Sequence, residues 1–259
     1  MRALVHQVVT FAEAPFQGNP AYVLTAPPGI DEGVLARICD QLQAGVLAVL
    51  GELVAGRRSL RFVTAHGPHD GAGHAAHAAA HIALPEDGAV TFDLPSNQML
   101  QAGRIDGKAW VRWPIMPASV ASGDSVAGAL GRNPREVLVA SFGYAAVFEN
   151  ASDLAALRPD MTAIRALDRG ALIATAPATA ADFALRVFAP KLGLLEDPVC
   201  GTAHRIIAPY WAQRLGRTKL RSRQMSPRGG DLWCTVEQSS VVIAGHSRLF
   251  LEGVVTVPL

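Results

Sequence analysis

Apolar positions along the chain follow two periods. Alternating or β-branched runs over 4–11, 22–25, 46–54, 60–64, 89–94 and 109–113 predict strands. Between 31 and 43, Val34, Leu35, Ile38, Cys39 and Leu42 recur at helical spacing, and 73–84 reads as an alanine-rich helix. Pro15, Gly18, Asn19 and Pro20 form a turn after the first strand. Over 114–124 the chain turns to Pro, Ser and Gly, which marks a boundary. The order then repeats: a helix over 125–130, strands over 137–148, one helix over 152–167, strands over 172–175 and 183–188, and a helix over 201–215. From Lys219 onward the chain is mostly strand, with turns at 228–230 and 238–240. This is a strand-rich α+β pattern without the strict βαβ alternation of a doubly wound sheet. It contains no dinucleotide-binding G-x-G-x-x-G and no P-loop.

Composition narrows the class. The 259 residues are 50% apolar and 17% charged, enough apolar surface to fold. Of them 44 are alanine, and 20 Arg stand against 3 Lys, both biases of a GC-rich coding sequence. The mean hydropathy of +0.23 therefore reflects alanine more than large side chains. A net charge of +1 and the lack of a basic stripe point away from nucleic acid and anionic membranes. Three cysteines are too few for a disulfide scaffold. No run of about 18 apolar residues is present, and the start, Met1 to Gln7, has no apolar leader core. A cytoplasmic protein that neither spans nor coats a membrane is expected.

One repeat carries chemistry. Ala72-Gly73-His74-Ala75-Ala76-His77 resembles Cys200-Gly201-Thr202-Ala203-His204, with the two glycines 128 positions apart. Each segment opens a helix after a strand and a loop. Glycine there lets a ligand approach the backbone, and the helix start favours an anion. Two such openings facing each other would hold a carboxylate between them.

A longer resemblance adds to this. Arg186-Val187-Phe188-Ala189-Pro190, Glu196-Asp197-Pro198-Val199-Cys200-Gly201-Thr202-Ala203-His204, Ala208-Pro209-Tyr210-Trp211 and Gln224-Met225-Ser226-Pro227-Arg228-Gly229-Gly230 are similar to the RVFAP, EDPVTGSAH, L-PYW and Q-S-RGG segments of the phenazine-biosynthesis PhzF family. That family belongs to the diaminopimelate-epimerase-like superfamily. Phe11, Pro15-Phe16-Gln17-Gly18-Asn19-Pro20, Arg61, Thr64 and Gly73-His74-Ala75 agree as well, so the resemblance runs through essentially the whole chain. It implies two pseudo-symmetric halves, 1–115 and 116–259, each a curled mixed β-sheet around a central helix. The active site would lie between them, and the last strand would cross back to the first half. It further implies an isomerase that moves a proton on a small carboxylate-bearing substrate without metal or organic cofactor. Many members form homodimers.

Departures from the family pattern matter as much. The family's proton-shuttling glutamate aligns with Val46, a second glutamate with Pro68, and a first-half cysteine with Ala72. Cys200 stands where epimerases of the superfamily carry a catalytic cysteine and this family usually has threonine. The matching residues make His74, Asp197, Thr202 and Cys200 the catalytic candidates. An imidazole titrating near neutrality at His74 would suit proton delivery or carboxylate recognition. A helix N-terminus would lower the Cys200 thiol's pKa and make it a usable base. Gly73, Gly201 and Asn19 are substrate-binding candidates, and His66, His69 and Asp70 could stand in for the missing glutamate. His74, His77 and His81 share one helical face, but the family match explains His74 without a metal. Gln224, Arg228 and Gly230 read as supporting residues.

The expected function is therefore proton and double-bond transfer on a conjugated amino- or imino-acid carboxylate in secondary metabolism. The family's double-bond isomerases of alkylproline antibiotic pathways fit that description. The alternative is a protein that kept the fold after losing the glutamate, binding a ligand or orienting a substrate for cyclisation.

Overall fold

The computed structural model of the chain describes residues 2–26 and 29–256; Met1, where the leader reading begins, lies outside them. Contacts divide the chain into two units: Met1–Pro15, Asn19–Trp113 and Ala244–Leu259 form the first, and Phe16–Gly18 with Pro114–Ile243 the second.

The first unit runs β1 (Arg2–Thr10), β2 (Asn19–Thr25), α1 (Glu32–Gln41), β3 (Leu47–Val54), β4 (Arg57–Thr64), β5 (Gly67–His69), α2 (Gly73–Ala83), β6 (Gly88–Asp93), β7 (Met99–Ile105) and β8 (Lys108–Pro114). Its sheet is ordered β1-β2-β3-β4-β6-β7-β8, and β5 pairs with β4. The pairs β2–β3 and β4–β6 are parallel; the other neighbours on that path are antiparallel. A parallel pair needs a crossover between its strands. Here α1 and α2 supply the two crossovers.

The second unit runs β9 (Ser119–Val120), α3 (Asp124–Leu130), β10 (Glu136–Val139), β11 (Gly143–Val147), α4 (Ala151–Ala156), α5 (Met161–Ala166), β12 (Ala171–Pro177), β13 (Phe183–Phe188), a 3-10 turn at Pro190–Leu192, α6 (Gly201–Leu215), β14 (Lys219–Gln224) and β15 (Gly230–Val236). Its sheet is ordered β15-β14-β13-β12-β11-β10-β9. The series from β10 to β15 pairs antiparallel, parallel, antiparallel, parallel, antiparallel, the same series as β1, β2, β3, β4, β6 and β7. The fold is thus a duplicated mixed-sheet unit, α+β in class. In it α2 and α6 hold the same topological place. The last strand, β16 (Ser240–Thr256), starts in the second unit; from Ala244 it belongs to the first, where it pairs antiparallel with β1.

Local chemistry explains most elements. Asp31 caps α1 by accepting the Val34 N–H at 3.1 Å. Leu35, Ile38 and Cys39 then pack against Leu24, Leu47, Val49 and Val63. Burying one such leucine contributes about 1.5–3 kcal/mol. The single helix expected over 152–167 is two short helices. Pro159 lacks an N–H and disfavours helical backbone at Arg158, so α4 stops before it. Asp160 restarts the chain as α5, accepting from the Thr162 and Ala163 N–H groups at 2.8 and 3.1 Å. The strand β7, missed by the periodicity, is held close to its neighbour at Gly103. A Cβ there would come within 2.4 Å of the Gly88 carbonyl oxygen. On α2, Ala75, Ala76, Ala78, Ala79 and Ala80 are all fully buried. Alanine at these sites is a packing requirement, which coding bias alone does not explain.

Candidate active site

The opening of α6 is braced by hydrogen bonds from several elements of the second unit. The loop after β13 is fixed at its base by Arg186, whose guanidinium meets both Glu196 carboxylate oxygens at 2.8 and 2.9 Å. The same guanidinium donates to the carbonyls of Leu154 (2.9 Å) and Leu157 (3.3 Å). One residue on, the Asp197 N–H donates to the Val187 carbonyl at 2.9 Å. The Gln224 amide, fully buried, donates from Nε2 to the Asp197 carbonyl (2.7 Å) and accepts the Cys200 N–H at Oε1 (2.8 Å). Ser226 Oγ donates to the Pro198 carbonyl (2.6 Å) and accepts the Gly229 N–H (3.0 Å). His204, also fully buried, meets the Cys200 carbonyl through Nδ1 at 2.8 Å. A carbonyl only accepts, so Nδ1 carries the proton, and Nε2 accepts from the Ser222 hydroxyl at 2.7 Å.

This bracing presents Asp197 and Cys200 to each other. The Asp197 carboxylate takes hydrogen bonds from the Cys200 thiol and the Val199 N–H, both of which favour its charged form. Burial outweighs them and pushes its pKa up to about 6. The thiol behaves differently from the expectation. Its pKa is raised well above the ordinary value, first by burial and then by the Asp197 charge. The N–H groups of Ala203 and Thr202 at the helix start act to lower it and do not prevail. Cys200 is therefore a neutral thiol that donates to Asp197 at physiological pH, and the reading of it as a lowered-pKa base is corrected. Gly201 is buried and Thr202 half-buried in the first turn of α6, directly after this pair.

In the first unit, α2 opens at Gly73 with Ala72 as its cap residue, which has no side chain to cap with. His77 Nδ1 meets the Gly73 carbonyl at 2.8 Å, much as His204 meets Cys200. The His77 ring packs on Phe11, whose φ of +60° is rare for a bulky residue. His74 is half-buried in the first turn. Burial, then His77 and His69, pushes its pKa down to about 4. It is a neutral imidazole near pH 7, so the expectation of a group titrating near neutrality is corrected. His66 just before β5, His69 at its end and Asp70 after it are all exposed, so the segment read as a loop is partly strand. The His69 Nδ1 accepts the Gly71 N–H at 3.1 Å, which turns that ring back onto its own loop. Asn19 is buried at the start of β2, its carbonyl accepting from the Thr10 hydroxyl at 3.0 Å. Val46 is half-buried just before β3.

Asp197, Cys200, Gly201 and Thr202 thus meet at one loop–helix junction, and Gly73 and His74 at another. The sequence reading gave no role to Ser222, Ser226 or His204, and Gln224 only a supporting one. The signal of Ser222, Gln224 and Ser226 was weak because their partners lie 18 to 28 residues away, and His204 bonds a backbone carbonyl, which carries no residue signature. Among the described residues, no group of three or more His, Cys, Asp or Glu side chains is placed to hold a metal ion. Among them also, no helix is long and apolar enough to cross a membrane.

The two units thus share a helix opening, and the one in the second unit carries a half-buried carboxyl hydrogen-bonded to a buried thiol. Comparison with known proteins sharpens this. The profile of the phenazine biosynthesis-like protein family (PhzC–PhzF) matches residues 122–253. An uncharacterized isomerase of Pseudomonas aeruginosa is 35% identical over 263 residues, covering 98% of both chains. The crystal structure of a PhzF-family phenazine biosynthesis protein from Enterococcus faecalis superposes with a TM-score of 0.91 at 31% identity, covering 99% of this chain and 100% of that one. One from Clostridium difficile reaches 0.88 at 26% identity, covering 98% and 100%. The chain belongs to the phenazine biosynthesis-like (PhzC–PhzF) protein family.

Proposed function

We propose that this chain is a cofactor-independent isomerase in which Asp197 carries the proton. The supporting observation is the Asp197 carboxyl, held by a braced backbone at the α6 opening with its pKa lifted to about 6. A carboxylate tuned toward operating pH both removes and returns a proton well. Ionised at pH 7–8, Asp197 takes a proton from an activated carbon next to the substrate's carboxylate. The electron pair shifts along the conjugated system, and Asp197 returns the proton at the far end of the double bond. The Cys200 thiol steadies the carboxylate through its hydrogen bond and stays protonated. The Gly201 N–H and Thr202 at the start of α6 suit the substrate carboxylate, where the helix dipole favours negative charge. The substrate class is a small conjugated amino- or imino-acid carboxylate of secondary metabolism, antibiotic precursors among them. The enzyme would work as a cytoplasmic homodimer, as the family resemblance implies.

The replacement of the family glutamate by Val46 favours a second reading, a binder or substrate-orienting cyclase. One experiment separates the two. The protein is incubated in D2O with a panel of dienoic and imino acids, and deuterium uptake is followed by NMR. The isomerase reading expects uptake at one carbon, lost by at least about 100-fold in Asp197→Asn, as general-base removal costs. No uptake with any acid, from folded protein, overturns it in favour of the second reading.

A further inference from the structure

We infer that Gln224 is a positioning residue for the Asp197–Cys200 pair, acting through two hydrogen bonds to the backbone on either side of that pair. The inference rests on the role proposed for Asp197. Gln224 ends β14 and is fully buried, 24 residues after Cys200. Its amide uses one donor and one acceptor on one loop. Nε2 donates to the Asp197 carbonyl at 2.7 Å, and Oε1 accepts the Cys200 N–H at 2.8 Å. The two bonds span residues 197 to 200, so one rigid planar group sets the length of the segment that brings the carboxylate to the thiol. Only an amide serves both ends. A carboxylate accepts but does not donate, and an aliphatic side chain does neither.

The surroundings reinforce this. The Cys200 carbonyl is held by His204, and the Pro198 carbonyl by Ser226. The Asp197, Pro198 and Cys200 carbonyls and the Cys200 N–H therefore all have partners, and leaving such a group unpaired when buried costs about 1–3 kcal/mol. Ser226 lies two residues past Gln224, so the strand end that carries the amide also braces Pro198. The Arg228-Gly229-Gly230 turn follows. There the Arg228 Nε donates to the Gly18 carbonyl at 2.8 Å, which anchors this strand end.

The test reads the Asp197 carboxyl directly, without a substrate. Protein labelled with 13C at aspartate carboxyls is titrated by NMR, and the Asp197 signal is assigned by its loss in Asp197→Asn. In Gln224→Ala the loop loosens and water reaches the carboxyl, so its midpoint is expected to fall by about one pH unit. In Gln224→Glu the shape is kept and a second acid is placed nearby, so the midpoint is expected to rise by a similar amount. Asp197 midpoints equal to wild type in both folded variants would overturn the inference. Should Gln224→Ala fail to fold, Gln224→Met, which keeps the bulk but neither donates nor accepts, takes its place with the same expected fall. If wild-type Asp197 itself titrates in the ordinary carboxylate range, the proposed proton carrier is wrong. The role of Gln224 is still decided by the variant-to-wild-type difference.

Discussion

Replacing Asp197 by asparagine should make the protein more stable at neutral pH. Folding lifts the carboxyl from an ordinary 3.8 to about 6, chiefly by burial. At 1.36 kcal/mol per pH unit, the folded state therefore carries about 3 kcal/mol of cost for an ionised Asp197. The sign follows from proton counts. Between pH 4 and pH 6 the folded state binds more protons than the unfolded one, so this group's favourable contribution is complete below pH 4 and lost as pH rises through 6. Above pH 6 the cost is constant. Asparagine keeps an oxygen for the Val199 N–H and never ionises. Its advantage should be about 3 kcal/mol at pH 7.5 and fade toward zero near pH 4. For a chain of this length that is a rise in Tm of roughly 6 °C at the higher pH. Thermal unfolding of both proteins at pH 4.5, 6 and 7.5, with urea titration at the two extremes, measures it. An unchanged or lower stability for Asp197→Asn at pH 7.5 would mean that the folded protein carries no cost for the ionised carboxyl. A functional carboxyl held at a cost to stability is the expected pattern of an active site.

Other predictions follow from the same contacts. Arg186→Met should destabilise by about 3–5 kcal/mol in urea unfolding, because Glu196 is left as a mostly buried charge without its bidentate partner. Ala79→Leu should cost at least about 1–3 kcal/mol, since a fully buried position on α2 has no room for three more carbons. Val46→Glu, which places there the glutamate that the family resemblance implies, should leave deuterium uptake within about twofold if Asp197 is the working base. A gain of tenfold or more, about 1.4 kcal/mol of barrier, would show that the site had decayed from the family's chemistry.

Much of the fold was legible because local rules and packing agree. The helix over 201–215 was read with its observed bounds, its start marked by glycine and its end by Gly216 at a φ of +63°. Reading 152–167 as one helix failed because the apolar spacing outweighed Pro159, a stronger local signal than periodicity. The alanines of α2 were credited to coding bias because a sequence does not show which positions are enclosed. The site divides the same way. His74, Asp197, Cys200 and Thr202 were reachable from their motifs. The protonation states of His74 and Cys200 were not, since burial decided both against the helix-terminus and near-neutral expectations. The Gln224 brace was hidden for a similar reason: its partners are distant in sequence and are backbone atoms, which carry no residue signature.

Proton transfer by Asp197 between substrate carbons is read most plainly in the pH dependence of deuterium uptake, measured from pH 4.5 to 8.5 with whichever carboxylate of the panel exchanges. The rate should rise as Asp197 ionises, with a midpoint near 6, and level off above it, the whole profile vanishing in Asp197→Asn. A rate flat through pH 6, or a profile that survives in Asp197→Asn, would contradict it.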